Sequence, residues 1–188
     1  MEENKTITKK KSNKFLLFFI ICLILLGIYY FYALNLTYKK MQFDDDIDIT
    51  YLVEIYKMPE IARYLSISDN YFHYVTNTEN VYFYKVYEND KLIGTIHLEK
   101  QETVLFMSIL VFPKFQRAGL GTKIIKDIQN DVFGLNFDRI EISIDETNSA
   151  SLRLFENAGF TFVSKEGVLL YFIYQSEMFW QIPICRTG

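Results

Sequence analysis

The spacing of apolar residues divides most of the chain into short strands and helices. Residues 139–145 alternate strictly between polar and apolar, which predicts a strand with Ile140, Ile142 and Ile144 on its buried face. The run at 103–112 is almost wholly apolar and predicts a central strand. Between these strands, residues 119–132 carry apolar side chains at helical spacing, which predicts an amphipathic helix.

The other segments extend this pattern into a mixed sheet. Residues 54–67 have helix-like spacing that is interrupted by Pro59, so they predict one or two short helices. Residues 80–100 predict a β-hairpin that turns at residues 88–90. A short helix is predicted at 148–159, with Asn148 or Ser149 as its N-cap, and two closing strands at 160–174. The order of elements predicts an α/β protein with a mixed, α+β sheet.

A long apolar segment, Phe15–Leu36, contains no charged residue. A helix of this length spans the ~30 Å hydrocarbon core of a bilayer, so the segment predicts a transmembrane anchor that contacts lipid. The expected organisation is a basic flank at 1–14, the anchor at 15–36, a linker at 37–46, one domain at 47–174 and a tail at 175–188. A cleaved signal peptide is the alternative, but no small-x-small cleavage site follows the segment. A translation start at Met41 would exclude the segment from the protein.

Charge is distributed unevenly along the chain. Residues 1–40 have a net charge of +5, whereas residues 41–188 have a net charge of −8. The acidic domain argues against a nucleic-acid partner and is compatible with an amine substrate. The two cysteines and two histidines are too scattered for metal-ligand spacing, so no metal cofactor is expected.

The junction between the central strand and the following helix carries the strongest chemical signal. Residues 116–121 read Gln-Arg-Ala-Gly-Leu-Gly. Glycine permits a positive φ or a close backbone approach, and a helix start presents unpaired N–H groups and a positive dipole end. Together they predict an anion site, most often for phosphate. The spacing fits neither a Walker loop nor a dinucleotide fingerprint, and a tight turn without a ligand is the alternative.

A second block, residues 148–160, reads NSASLRLFENAGF. The two blocks together resemble the GNAT superfamily of acyl-CoA N-acyltransferases, over residues 47–174. The resemblance implies a GNAT-type fold and acetyl-CoA as co-substrate, with its pyrophosphate held by the first block and its pantetheine arm by the preceding strand. The coenzyme-binding residues that it implies are Leu110, Val111, Gln116, Arg117, Ala118, Gly119, Leu120, Gly121, Thr122, Asn148 and Phe155. Lys123 is a further source of positive charge.

The resemblance leaves the acid and the base of the reaction open. An amine that attacks a thioester must lose a proton, and the leaving thiolate must gain one. Phe155 stands where the family often has a proton-donating tyrosine, so the proton must come from water, from the amine itself or from Ser151, one turn away, which is the candidate residue. Glu141 is the candidate base and His97 the second candidate. Residues 71–75 are expected either to wall the acceptor pocket or to form an aromatic core cluster.

These observations predict an N-acetyltransferase that acts on a primary amine of a small molecule or a peptide. A non-catalytic acyl-CoA-binding module with a sensing or scaffolding role is the alternative, because Phe155 lacks a hydroxyl and no base is obvious. Five lysines before the apolar segment favour a cytosolic N-terminus, which would place the domain outside. The supply of acetyl-CoA favours a membrane protein whose domain faces the cytosol, or a cytoplasmic protein if translation starts at Met41. The sequence leaves the oligomeric state open.

Overall fold

The computed structural model describes residues 16–25, 35–42 and 47–176. The chain divides into two units, with the boundary between Asn35 and Leu36. In the first unit, residues 16–25 form a helix, α1, whose leucine, isoleucine and phenylalanine side chains are exposed. No helix within the described ranges combines the length and the apolar character needed to cross a membrane.

The second unit is built on one seven-stranded sheet in the described part of the chain. The strands are β1 (Leu36–Lys40), β2 (Val81–Glu88), β3 (Lys91–Gln101), β4 (Val104–Val111), β5 (Arg139–Asp145), β6 (Thr161–Glu166) and β7 (Leu169–Gln175). Their order is β1-β2-β3-β4-β5-β7-β6, and every neighbouring pair is antiparallel except β4 and β5, which are parallel. The predicted mixed sheet is therefore confirmed.

Five further helices lie between the strands of this unit in the described residues. They are α2 (Ile49–Tyr56), α3 (Pro59–Ala62), α4 (Tyr71–Asn77), α5 (Leu120–Gln129) and α6 (Ser149–Asn157). Pro59 occupies the first turn of α3, where its missing N–H costs no hydrogen bond, and it therefore separates α3 from α2. The interrupted pattern at 54–67 thus corresponds to two short helices, although α2 begins before residue 54.

Helices α2 to α4 cover one face of the sheet. Leu52 of α2 and Phe72 of α4 belong to the same core cluster as Phe83 of β2 and Leu110 of β4. Residues 71–75, for which the sequence left two roles open, lie in α4 and supply aromatic rings to this core. The hairpin of β2 and β3 turns at Asn89 and Asp90, which both have positive φ as a two-residue type I′ turn requires.

The edge strand β1 corrects the predicted boundaries. The sequence assigned Leu36 to the anchor and residues 37–46 to a linker, whereas Leu36–Lys40 pair along β2 from Glu88 to Tyr84. Edge pairing of a short, partly polar strand leaves little alternation in the sequence, so the local pattern gave no sign of it. A domain start at residue 47 is therefore too late, and a chain starting at Met41 would lack this strand.

A hydrogen bond joins β1 to α5. The hydroxyl of Tyr38 donates to Asp127 Oδ2 at 2.5 Å, and Asp127 is also ion-paired with Lys123. Burial and the neighbouring carboxylate raise the pKa of Tyr38, so the phenol keeps the proton that it donates.

We expect Tyr38→Phe to lower the free energy of unfolding by about 1–2 kcal/mol, because the buried Asp127 carboxylate loses one of its two side-chain partners. Urea unfolding of the full-length variant measures the loss. Tyr51→Phe, at an exposed position on α2, is the matched control and is expected to leave stability unchanged. Equal stability of the Tyr38 variant and the wild type would show that this bond does not hold β1 to α5.

Candidate active site

Strands β4 and β5 pair only where they begin and then separate. Their register covers Val104–Phe106 of β4 and Arg139–Glu141 of β5. Beyond this point, residues 107–111 and 142–145 line a cleft of about 550 Å³. A parallel pair that separates leaves backbone N–H and C=O groups of both strands to be satisfied by water or by a ligand.

The peptide groups at the end of β4 alternate between the two sides of the strand. A Cβ atom on Gly94 of β3 would lie 2.2 Å from the carbonyl oxygen of Leu110, so the Leu110 peptide groups face β3. By alternation, the N–H and C=O of Val111 face the cleft. The Val111 carbonyl indeed accepts a 2.9 Å hydrogen bond from Gln116 Nε2, which ties the following loop to β4. The Val111 N–H is thus the backbone donor that the cleft offers here.

The loop before α5 has the geometry of an anion site. Arg117 and Gly119 have φ angles of 65° and 77°, and α5 begins at Leu120. Left-handed residues in such a loop turn successive N–H groups to one side, which forms a concave anion-binding nest. The N-cap residue of α5 is Gly119, which has no side chain to cap the helix. The N–H groups in the first turn of α5 and the positive end of the helix dipole therefore add to this site.

The two glycines of the loop serve different purposes. Gly119 adopts a left-handed conformation that residues with a side chain rarely take. Gly121 instead allows α5 and α6 to approach, since a Cβ atom there would lie 2.9 Å from Leu154 Cδ2. The first glycine therefore shapes the loop, and the second lets the start of α5 lie beside α6.

The structure brings together nearly all the predicted coenzyme-binding residues. Those that line the cleft are Leu110, Val111, Gln116, Arg117, Gly119, Leu120, Gly121, Thr122, Asn148 and Phe155. Ala118 is absent from the lining of the cleft, and so is Lys123, whose charge is compensated by Asp127. Ser151 lines the cleft from α6.

Asn148 and Phe155 position α6 beside the cleft. The Asn148 side chain accepts a 3.1 Å hydrogen bond from the Ser151 N–H, so it caps α6, which is one of its two expected roles. Phe155 is buried, with its ring 5.1 Å from that of Phe160 in an edge-to-face contact. Its position in the cleft wall supplies packing and no hydroxyl.

Sequence reasoning missed the wall that α3 and the residues directly after it contribute. Glu60, Ile61, Tyr64 and Leu65 line the cleft opposite α6, and Arg63 Nη2 donates a 3.3 Å hydrogen bond to Thr147 Oγ1 after β5. These residues are more than 80 positions from the loop that they meet, so only the helical spacing around Pro59 hinted at a packed face there. Arg153, on α6, was also missed and lines the cleft.

A second cavity, of about 260 Å³, adjoins the cleft on the face of the sheet that α4 covers. Its lining consists of His97, Glu99, Phe106, Met107, Ser108, Glu141, Ile142, Ser143 and Tyr171. Met107, Ser108, Ile142 and Ser143 also line the cleft, so the two spaces meet where β4 and β5 separate. Glu141, the candidate base, lies in this cavity, where its Oε1 is 2.7 Å from Arg139 Nε.

The other candidate base, His97, lies beside Glu99 on β3. Its Nδ1 is 3.1 Å from the hydroxyl of Tyr71, whereas its Nε2 is buried and has no hydrogen-bond partner among the described residues. Burial lowers the pKa of His97, against the opposing effect of Glu99, so the imidazole is neutral at pH 7. Tyr71 in turn packs against Tyr56, with the two ring centroids 5.9 Å apart, and burial raises the pKa of Tyr56 to about 12.

Comparison with protein families identifies a match over residues 44–160 to the model described as the acetyltransferase (GNAT) family. A comparison with curated protein sequences finds no match. Within the described residues, no group of three or more His, Cys, Asp or Glu side chains is placed to hold a metal ion.

Solved structures of acetyltransferases share this fold. Spermidine N-acetyltransferase from Vibrio cholerae, in complex with CoA and spermine, is 14% identical and has a TM-score of 0.64, covering 75% of this chain and 95% of its own. Aminoglycoside acetyltransferase AAC(6')-Ib, in complex with coenzyme A, is 19% identical with a TM-score of 0.63, covering 78% and 98%. The N-acetyltransferase PseH of Campylobacter jejuni is 14% identical with a TM-score of 0.58, covering 74% and 97%. At these identities the likeness concerns the fold alone.

Proposed function

Because the chain belongs to the acetyltransferase (GNAT) family, we propose that it is an enzyme that transfers the acetyl group of acetyl-CoA to a primary amine. The observation that carries this proposal is the cleft between the separated ends of β4 and β5, which has an anion-binding loop at one end and an acidic cavity at the other. Two of the related structures contain coenzyme A, and their names identify amines as substrates.

The residues of the cleft fit acetyl-CoA. The nest at Arg117–Gly119 and the first turn of α5 would hold the pyrophosphate, and the open edge of β4 would hold the pantetheine arm. When bound, acetyl-CoA supplies the thioester that the amine attacks. The Val111 N–H would stabilise the negative charge that develops on the thioester oxygen, which contributes about 3 kcal/mol in comparable sites.

The proposed reaction needs a base that accepts a proton from the amine and a group that donates a proton to the leaving thiolate. Glu141, in the cavity that adjoins the cleft, is the proposed base, although its ion pair with Arg139 competes with proton uptake. Ser151, in the cleft wall beside Phe155, is the proposed donor to the leaving thiolate. Neither residue needs a metal ion for this role.

The second candidate function is a non-catalytic acyl-CoA-binding module, which the missing hydroxyl at Phe155 favours. A screen of amines against acetyl-CoA, with free thiol as readout, distinguishes the two functions. Thiol release with at least one amine supports the enzyme. Binding of coenzyme A in calorimetry without thiol release from any amine supports the module.

We expect Phe155→Tyr to leave kcat unchanged or to raise it, because the added hydroxyl lies in the cleft wall and can protonate the thiolate. Steady-state kinetics on the full-length protein measures the effect. Phe160→Tyr, at the neighbouring buried ring, controls for the cost of adding a hydroxyl to this cluster. A Phe155→Tyr enzyme whose kcat falls more than tenfold, with the control intact, would show that Phe155 does not lie near the sulfur.

Membrane anchoring stays a prediction from the sequence. The apolar stretch before β1 supports an anchor that ends at residue 35 at the latest. The supply of acetyl-CoA favours a domain that faces the cytosol. Because β1 precedes Met41, a cytoplasmic form starting at Met41 would lack an edge strand. Carbonate extraction of membranes tests the anchor: release of the full-length chain into the soluble fraction would contradict it.

A further inference from the structure

The cavity beside the cleft is organised in two rows of side chains on one face of the sheet. Glu99, Phe106 and Glu141 are register partners across β3, β4 and β5. His97 and Ser108 form the next row, and Ser143 lies two residues beyond Glu141. Strands are about 4.8 Å apart and rise about 3.4 Å per residue. The row of Glu99, Phe106 and Glu141, called the acidic row here, is therefore about 7 Å from the row of His97 and Ser108. The second row is called the opening row, because β4 and β5 separate there.

In the acidic row, no cation among the described residues is ion-paired with Glu99. The Glu99 carboxylate accepts hydrogen bonds from neutral groups, Tyr74 at 3.3 Å and Gln101 at 2.8 Å. Glu141, by contrast, is ion-paired with Arg139. The half-buried Glu99 therefore gives the cavity a negative potential, and Phe106 and Tyr171 add aromatic surface beside it.

The opening row, His97 and Ser108, has no positive charge that would repel a cation. His97 is held neutral by its burial, so it places no positive charge in the wall. Its buried Nε2 is an unsatisfied polar atom in the described structure, which calls for an explanation because such atoms are rare. In the tautomer in which His97 Nδ1–H donates to the Tyr71 hydroxyl, Nε2 is an acceptor without a partner among the described residues. This acceptor and the nearby Glu99 carboxylate both suit a ligand that is rich in N–H donors.

We propose that this cavity binds the acceptor and that Glu99 selects a linear amine with a second positive charge. The reacting amine lies at the Ser108 row, where the cavity meets the cleft, and the second ammonium lies at the acidic row. This inference rests on the proposed acetyl transfer and adds the class of acceptor. The cavity volume of about 260 Å³ is below the ~300–1,000 Å³ of sites for drug-sized ligands, which favours a slender chain over a multi-ring amine.

Three acceptors of similar length test the proposal on the full-length protein in uncharged detergent. They are 1,4-diaminobutane, n-butylamine and 4-aminobutanoate, which end in an ammonium, a methyl and a carboxylate group. We expect kcat/KM for the diamine to exceed that for butylamine at least about tenfold, and the amino acid to be the poorest acceptor. Equal kcat/KM for the diamine and butylamine would overturn the proposal.

Substitution of Glu99 tests whether this residue causes the preference for the diamine. Glu99→Gln keeps the side-chain shape and is expected to lower the diamine-to-butylamine ratio about tenfold, mainly through the KM for the diamine. Glu99→Asp, which keeps the charge, is expected to retain part of the preference. Glu54→Gln, at an exposed position on α2, is the matched control and is expected to keep the wild-type ratio. An unchanged ratio in a folded Glu99→Gln protein would exclude Glu99 as the selecting residue.

Calorimetry with 1,4-diaminobutane alone separates this inference from the proposed reaction. Binding that is lost in Glu99→Gln supports the cavity even if no amine releases thiol from acetyl-CoA, in which case the enzymatic function fails and the amine site stands. Thiol release from acetyl-CoA without a preference for the diamine would support the enzymatic function and contradict the amine site. Absence of diamine binding to the wild type, together with absence of preference, overturns the inference.

Discussion

Replacing Gly121 with glutamate is expected to lower the affinity for coenzyme A at least about 100-fold, which corresponds to roughly 2.7 kcal/mol. Two effects act together. The carboxylate adds negative charge at the start of α5, where the nest and the helix dipole favour an anion. The side chain also meets Leu154, whose Cδ2 would lie 2.9 Å from the new Cβ, so the Leu154 side chain must shift. Isothermal titration of the full-length protein with coenzyme A measures the loss.

Two variants separate charge from volume in this experiment. Gly121→Gln has the size of glutamate without its charge, so the difference between the two variants reports electrostatics and is expected to shrink as salt is raised. Gly134→Asn is the matched control, because Gly134 lies in a turn with φ of 67° and no atom within 4 Å of an added Cβ. Wild-type affinity in Gly121→Glu would remove the loop and α5 from the coenzyme site.

Replacing Gly94 with alanine is expected to lower the free energy of unfolding by about 3 kcal/mol, the cost of overpacking a well-filled site. The added Cβ would lie 2.2 Å from the carbonyl oxygen of Leu110, a backbone atom that cannot rotate away as the Leu154 side chain can. The end of β4 must shift, and Val111 with it. Weaker binding of coenzyme A is therefore expected in the same variant. Urea unfolding and titration measure the two effects.

Lys91→Ala controls for a substitution on the same strand, because Lys91 is exposed. It is expected to change neither stability nor affinity by more than a few tenths of a kcal/mol. A Gly94→Ala protein as stable as the control would mean that β3 and β4 tolerate a wider separation than their register indicates.

The parts of the fold that the sequence predicted are those that local spacing determines. The alternation of residues 139–145 placed Ile140, Ile142 and Ile144 on a buried face, and all three are at most 6% exposed. Asn148 or Ser149 was predicted to cap a helix, and the Asn148 side chain does so. The positive φ of Gly119 follows from the need for a left-handed residue before α5.

The parts that the sequence did not predict depend on contacts between distant segments. Strand β1 is defined by its pairing with β2 and by the bond from Tyr38 to Asp127, 89 positions away. The separation of β4 from β5 is a property of the pair, so neither strand shows it alone. The acidic cavity likewise needs Glu99 and Glu141 in one row across three strands, which spacing along the chain does not reveal.

The role of Gly121 in the structure differs from the role that the motif implied. The family resemblance implied that both glycines let backbone amides hold the pyrophosphate. The structure gives this role to Gly119, whereas Gly121 makes room for Leu154 of α6. The spacing of the motif is therefore set jointly by the loop conformation and by the approach of two helices.

The most direct test of acetyl transfer is mass spectrometry of the amine after incubation of the full-length protein with acetyl-CoA and 1,4-diaminobutane. We expect one added acetyl group per diamine and an equal amount of free coenzyme A, with both products lost in Gly121→Glu. Coenzyme A binding in the cleft, without any acetylated product from this or any other amine tested, would contradict the enzymatic function and leave a binding module.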